Sequence, residues 1–281
     1  MALHPPKWRK TCDPFSLSYH DFRPTEILGY PHARNDVFHA RGVWHDQEIT
    51  VYIKVARQNN SAIANDVSLL SQMNAPVFPK VIDADMSPVA FSVTTALPGL
   101  RLSTIVGENL DMSSLSYMEE YGAALGKLHC LKPSASSQES RRFHHRPSCD
   151  MLEKLNLAYM DAFFQNAPAS SKTVFCHGDF HYANVLWENH RISGILDFEL
   201  SGYGNRDFDI AWAMFCRPGQ RFLQTSEEQQ LFLQGYARHG DFNADAVRYY
   251  MAQCYVYFLY FNDDAPEYCQ YIRSWLATNC T

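Results

Sequence analysis

The chain has 281 residues, 46% of them apolar and 14% aromatic, which is enough to bury a sizeable core and too hydrophobic for a disordered polypeptide. Its net charge of −6 gives no basic footprint for DNA or RNA, so no nucleic-acid partner is expected. The eight cysteines are scattered, with no Cys-x-x-Cys pair and no histidine at zinc spacing, the pattern of reduced thiols in a cytoplasmic protein.

Residues 1–20 carry Pro5, Pro6 and several charges but no apolar stretch, which argues against a secretory signal. The apolar stretch at 255–261 is far short of the about 20 residues that span a bilayer, so no membrane association is expected. Residues 24–56 read as consecutive strands, with β-branched or aromatic runs at 26–28, 37–40 and 49–55 separated by turn-rich segments. In the third run, alternation puts Ile49, Val51, Ile53 and Val55 on one face and Thr50, Tyr52 and Lys54 on the other. The connection at 29–36 has one glycine and one proline, compatible with an ordinary hairpin link. Residues 61–73 read as a helix with Ile63, Val67 and Leu70 on one stripe.

A strand at 90–97 ends at Pro98-Gly99, and 115–131 is a strong amphipathic helix ending in Leu128-His129, where the histidine is expected to be buried and structural. Residues 132–149 are rich in Ser, Arg, His and Pro and read as a solvated loop. Beyond residue 211 the pattern is helical and aromatic, mostly core packing.

The most informative run is His177-Gly178-Asp179-Phe180-His181-Tyr182-Ala183-Asn184, followed by Ile195-Leu196-Asp197-Phe198-Glu199. Phosphoryl transfer needs a carboxylate to accept the proton of the attacking hydroxyl, and oxygen ligands for the magnesium that neutralises nucleotide phosphates. Asp179 and Asn184, five apart, supply both kinds of group from one loop. The apolar triplet 194–196 reads as a buried strand that delivers Asp197 as a second metal ligand. Cys176, just before the loop, reads as a small apolar filler.

These residues resemble the aminoglycoside phosphotransferase and choline kinase family, the small-molecule branch of the protein-kinase fold. A third stretch, Gly204-Asn205-Arg206-Asp207-Phe208-Asp209-Ile210-Ala211, is similar in part to that family's Gly-Asp-Pro-x-x-Asp-Leu-Ala. The resemblance implies an α+β, two-lobed protein-kinase-like fold. It has a small antiparallel-sheet lobe with one main helix at 1–96 and a larger, mostly helical catalytic and substrate-binding lobe at 97–281. It also implies that Lys54 grips the nucleotide α- and β-phosphates, that Asp66 stands where the family has a glutamate pairing with that lysine, and that backbone groups near Thr95 and Leu97 bind the adenine edge. Asp179 is then the catalytic base, and Asn184 and Asp197 hold Mg2+. His177 anchors the loop, and Asp209 accepts its backbone N–H groups. Asp207 has no counterpart and is expected to be solvated.

The function so implied is transfer of the γ-phosphate of ATP (or GTP) to a hydroxyl of a small molecule, an aminoglycoside-type antibiotic or related amino alcohol. Alternatives are a metabolic kinase for choline, homoserine or a sugar, and a pseudokinase-like module that binds nucleotide without turnover. Asp263, Asp264 and Glu267 lie among tyrosines between the last two predicted helices. They are candidates to meet a cationic acceptor, or else a helix N-terminal cluster that complements the dipole.

Overall fold

The computed structural model describes residues 11–31, 35–57, 62–108, 113–169, 172–262 and 265–280. The amino-terminal part is built on β1 (Phe22–Gly29), β2 (Asp36–Trp44), β3 (Gln47–Val55), α1 (Ile63–Leu70), β4 (Val81–Asp85) and β5 (Phe91–Thr95). The strands form one antiparallel sheet in the order β1-β2-β3-β5-β4. Period-two alternation decides which side of β3 is buried. Val51, Ile53 and Val55 are fully buried with Phe22, Phe38, Phe91 and Val93, each such side chain contributing about 1.5–3 kcal/mol. Tyr52 and Lys54 occupy the opposite face. β1 and β2 pair as a hairpin, so residues 30–35 connect them; residues 32–34 lie outside the described part.

The second part contains β6 (Leu100–Arg101), α2 (Leu102–Glu108), α3 (Leu115–His129), α4 (Cys149–Lys154), α5 (Asp161–Gln165), β7 (Thr173–Cys176), β8 (Val185–Glu188), β9 (Arg191–Ile195) and β10 (Gly202–Asn205). It continues with α6 (Arg206–Met214), α7 (Ser226–Ala237), α8 (Ala244–Phe261) and α9 (Pro266–Asn279). Its core is aromatic. Tyr121 of α3 stacks on Phe180 of the catalytic loop at 5.2 Å and meets Phe232 of α7 edge-on at 5.2 Å, while Tyr249, Tyr255 and Tyr257 of α8 are buried. Two small antiparallel ribbons, β7 with β10 and β6-β8-β9, frame the catalytic loop. Among the described residues no helix is long and apolar enough to cross a membrane.

α6 matters most for the site. Asn205 caps its start by accepting the Phe208 N–H at 3.0 Å. Asp209 and Trp212, three residues apart, therefore share one face and both reach the catalytic loop.

Candidate active site

The catalytic loop leaves β7 at Cys176 and is held from behind. Buried Asp209 accepts the N–H of His177 on Oδ2 and that of Gly178 on Oδ1, both at 2.9 Å. The ring of His129 reaches Oδ2 at 3.1 Å, and its other nitrogen meets the Tyr236 hydroxyl at 2.8 Å. Burial works to raise the Asp209 pKa, yet the bond and charge of His129, with His177 and the Gly178 N–H, hold it below the usual carboxylate value. His129, Cys176 and Asp209 place ligand atoms within 4.8 Å of one another. The Asp209 oxygens are already occupied by N–H donors, so the cluster works as a hydrogen-bonded anchor.

His177 is fully buried and burial keeps its pKa down, so it is neutral. Its Nε2–H donates to the Leu196 carbonyl at 3.0 Å and its Nδ1 accepts the Asp179 N–H at 3.3 Å. Gly178 adopts a left-handed backbone, φ 79°, and a Cβ there would lie 2.3 Å from the Leu200 carbonyl oxygen. The loop therefore demands glycine between the histidine and the aspartate.

Asp179 projects from this frame with one short and two long contacts on its carboxylate: Oδ1 accepts the Trp212 indole N–H at 2.9 Å. Oδ2 faces His181 Nε2 and Asn184 Nδ2, each at 3.5 Å. Burial raises its pKa, but the hydrogen bond and charge of His181, the charge of Arg217 and the Trp212 donor outweigh it and hold the carboxyl well below the ordinary range. The Asn184 amide also donates to the Asp179 carbonyl at 3.0 Å, which leaves its Oδ1 as the acceptor end. The Leu196 N–H donates to the Asn184 carbonyl at 2.8 Å, tying the two segments of the motif side by side. Asp197 follows with a left-handed backbone, φ 67°, a conformation that aspartate tolerates better than most residues.

The strand lysine meets this assembly from the sheet. Lys54 Nζ lies 3.2 Å from Asp66, 3.1 Å from Asp197 and 3.0 Å from Glu199. Asp66, one methylene shorter than glutamate, thus pairs with the lysine, and its second oxygen accepts the Phe198 N–H at 2.8 Å. The neighbouring Asn65 amide donates to the carbonyls of Phe198, Glu199 and Ser201 at 3.0–3.2 Å, so α1 is sewn to the segment that carries Asp197. Burial penalises the Lys54 charge, but the three carboxylates more than offset this and raise its pKa well above normal. At the end of β5 the Thr95 N–H is committed to the Lys80 carbonyl at 2.9 Å, so what Thr95 has left to offer a base on its backbone is the carbonyl. Leu97 follows, half-buried, and a Cβ on Gly194 would lie 3.1 Å from its Cδ1.

Several placements differ from the sequence expectations. Asp207 is fully buried, not solvated, because Arg206 beside it donates through Nε at 2.8 Å and Nη2 at 3.2 Å. The 132–149 segment is not simply a solvated loop. Gln138 Nε2 bonds the Leu200 carbonyl at 3.1 Å, and Arg141 bonds the Gly178 carbonyl and lies 4.8 Å over the Trp212 ring. Glu199, Trp212 and Arg141 were not singled out as site residues; for Glu199 the signal was its place at the end of the Leu-Asp-Phe-Glu run. Glu267 sits exposed in the first turn of α9, and Asp263 and Asp264 lie outside the described residues. Tyr255 and Tyr257 are core residues, and the Tyr268 hydroxyl bonds the Cys216 carbonyl at 2.8 Å.

A strand lysine bound to a helix carboxylate, above a loop and a following aspartate in a helical lobe, defines a protein-kinase-like phosphotransferase fold. The chain belongs to the phosphotransferase enzyme family (APH), whose model matches residues 65–250. The aminoglycoside 3'-phosphotransferase of Niallia circulans is 30% identical over 87 residues, 31% of this chain and 32% of that protein, so the match spans about a third of the relative's length. The fold is similar to that of the solved aminoglycoside phosphotransferase APH(4)-Ia, with a TM-score of 0.62 at 14% identity over 94% of this chain and 95% of that one. It is also similar to macrolide 2'-phosphotransferase MphH from Brachybacterium faecium, with a TM-score of 0.57 at 17% identity over 92% of each chain.

Proposed function

We propose that this protein is an ATP-dependent O-phosphotransferase that moves the γ-phosphate to a hydroxyl of a small molecule. The observation that carries the reading is the pair of hydrogen bonds around Leu196, from its N–H to the Asn184 carbonyl and to its carbonyl from His177 Nε2. Together they hold Asp179, Asn184 and Asp197 in one constellation beneath Lys54. Asn184 Oδ1 and the half-exposed Asp197 carboxylate are oxygen donors suited to a hard divalent cation, and Mg2+ there would neutralise charge on the nucleotide phosphates. Lys54 would grip the phosphates, and the Thr95 carbonyl and Leu97 amide would meet the adenine edge.

The acceptor hydroxyl hydrogen-bonds Asp179 Oδ2, its oxygen attacks the γ-phosphorus, the bond to the bridging oxygen breaks, and the proton passes to the carboxylate as ADP leaves. A carboxyl held below its ordinary range is a weak base, so it mainly orients the nucleophile and takes the proton late, as suits a loose phosphoryl-transfer transition state. A cavity of about 260 Å³ adjoins the loop, lined by Ser103, Val106, Tyr182, Gln220, Arg221 and Phe222; the Gln220 amide is committed to the Phe222 carbonyl and the Arg217 N–H, and the Ser103 and Tyr182 hydroxyls suit a small polyhydroxylated acceptor. The similarity to aminoglycoside phosphotransferases favours an aminoglycoside-type compound or amino alcohol.

The test is ADP release and product formation from Mg-ATP with a panel of hydroxylated acceptors, including aminoglycosides, choline, ethanolamine and homoserine. Asp179→Asn should cut turnover by about 10²–10⁴-fold while nucleotide affinity stays near normal. A variant with near-normal phosphorylation, or a chain that binds Mg-ATP and turns over none of the panel, would contradict the reading.

A further inference from the structure

Resting on the assignment of Asp179 as the base, we infer that Trp212 is a positioning residue that fixes the plane of the Asp179 carboxylate and so aims its second oxygen at the acceptor, and that Arg141 and Arg217 hold its indole for that task. Trp212 is buried on α6 and its Nε1–H donates to Asp179 Oδ1 at 2.9 Å. An indole nitrogen only donates, so this contact occupies Oδ1, while Oδ2 meets Asn184 and His181 only at 3.5 Å and is the oxygen better placed to take an incoming hydroxyl. A half-turn about the Cβ–Cγ bond only exchanges two equivalent oxygens, and any intermediate angle leaves a buried N–H unpaired, a loss that proteins avoid, so the plane of the carboxylate is fixed.

The ring itself is over-determined. The guanidinium of Arg141 lies 4.8 Å and that of Arg217 lies 5.1 Å over it, with Phe143 and Phe215 each at 5.2 Å. Neither arginine has a carboxylate ion partner among the described residues. Arg141 donates to the Gly178 carbonyl within the catalytic loop, and Arg217 donates to the Trp212 carbonyl at 2.9 Å. Two cations over one indole draw on its π-density and leave the N–H edge more positive, so the stack both aims the donor and strengthens it. The arrangement joins three separate segments: the loop before α4, the helix α6 and the turn after it. None of these lies in the Asp-x-x-x-x-Asn run, and the charge of Arg217 also acts on Asp179, as that of Asp179 does on Arg141, without a direct ion pair among the described residues.

The test uses the full chain with Mg-ATP, first with water as acceptor and ADP release as the readout. Trp212→Phe keeps the ring and removes the donor, so the rate should drop about 10- to 100-fold, the scale on which small misplacements of catalytic groups act, with an unchanged KM for Mg-ATP. In the Asp179→Asn background the same substitution should cost nothing further, because the two side chains act as one unit. The indole N–H resonance of Trp212 should lie downfield in the parent protein and move upfield in Asp179→Asn. This measurement decides the matter even where Trp212→Phe does not fold. An unchanged rate in Trp212→Phe, an equal loss in both backgrounds, or an indole resonance indifferent to Asp179→Asn would overturn the inference. Normal turnover in Asp179→Asn alone would instead overturn the base assignment on which it rests.

Discussion

Glu199 Oε1 lies 3.0 Å from the Lys54 ammonium and accepts the Asn35 side-chain amide on the same oxygen at 2.8 Å, so the lysine, the carboxylate and the end of the β1–β2 connection meet at one atom. Burial, followed after the opposing pull of Lys54 by the charges of Asp197 and Asp66, raises the Glu199 pKa above its ordinary 4.5. A carboxyl with a raised folded pKa gives stability that is present below the unfolded value and lost as pH rises through the folded one. The difference in Tm between the parent protein and Glu199→Gln should therefore fall as pH rises from 4.5, then level off, in metal-free buffer. Melting curves across pH 4.5–7 check this; a difference independent of pH would disprove it.

Replacing Lys54 by Met leaves Asp66, Asp197 and Glu199 facing one another without a cation. Removing the cation from a fully buried network costs about 3–5 kcal/mol; with Asp197 41% exposed the loss should fall below that range, and it is readable in urea unfolding. Millimolar Mg2+ should restore part of the loss by supplying the missing positive charge. A variant as stable as the parent would show that the lysine is not needed to hold the carboxylates together.

Asp197→Ala and Asp209→Ala should separate. The first removes a phosphate-side oxygen and should weaken Mg-ATP binding with little change in the unliganded melt. The second leaves two backbone N–H groups of the loop unpaired, each worth about 1–3 kcal/mol, and should lower Tm first. Calorimetry and melts with and without Mg-ATP decide, and equal losses of Tm with unchanged Mg-ATP affinity in both variants would refute the split.

Gly178→Ala should destabilise the protein by about 1–3 kcal/mol, from the left-handed backbone and the approach to Leu200, and should lower turnover because Asp179 is the next residue. A melt unchanged from the parent would contradict the geometry at this turn.

Much of this site was legible in the sequence because its parts are local. The loop from His177 to Asn184 and the segment up to Glu199 bring their chemistry within short runs, and β3 announces its buried face by alternation. What escaped depends on contacts between distant segments. The 132–149 stretch has a solvated composition, yet Gln138 and Arg141 turn inward, and Gln138 takes its place beside Gly204, where a Cβ would lie 2.1 Å from its Oε1. Asp207 reads as a surface acid unless Arg206 is known to fold back over it. Trp212 looks like one more core aromatic of α6, and only the packing of α6 against the loop reveals that its N–H points at Asp179.

The close approach of Gly178 to the Leu200 carbonyl also bears on how this chain can change over generations. An arginine between His177 and Asp179, as in protein kinases, is not one substitution away in any useful sense, because the side chain would arrive where the backbone of the 198–201 turn already stands. That turn is itself tethered by Asn65 and Gln138. It would have to loosen first, and a chain that loosened it would have given up the ties between α1 and Asp197. The order of mutations is thereby constrained, and a change at residue 178 has to wait for changes in the turn behind it.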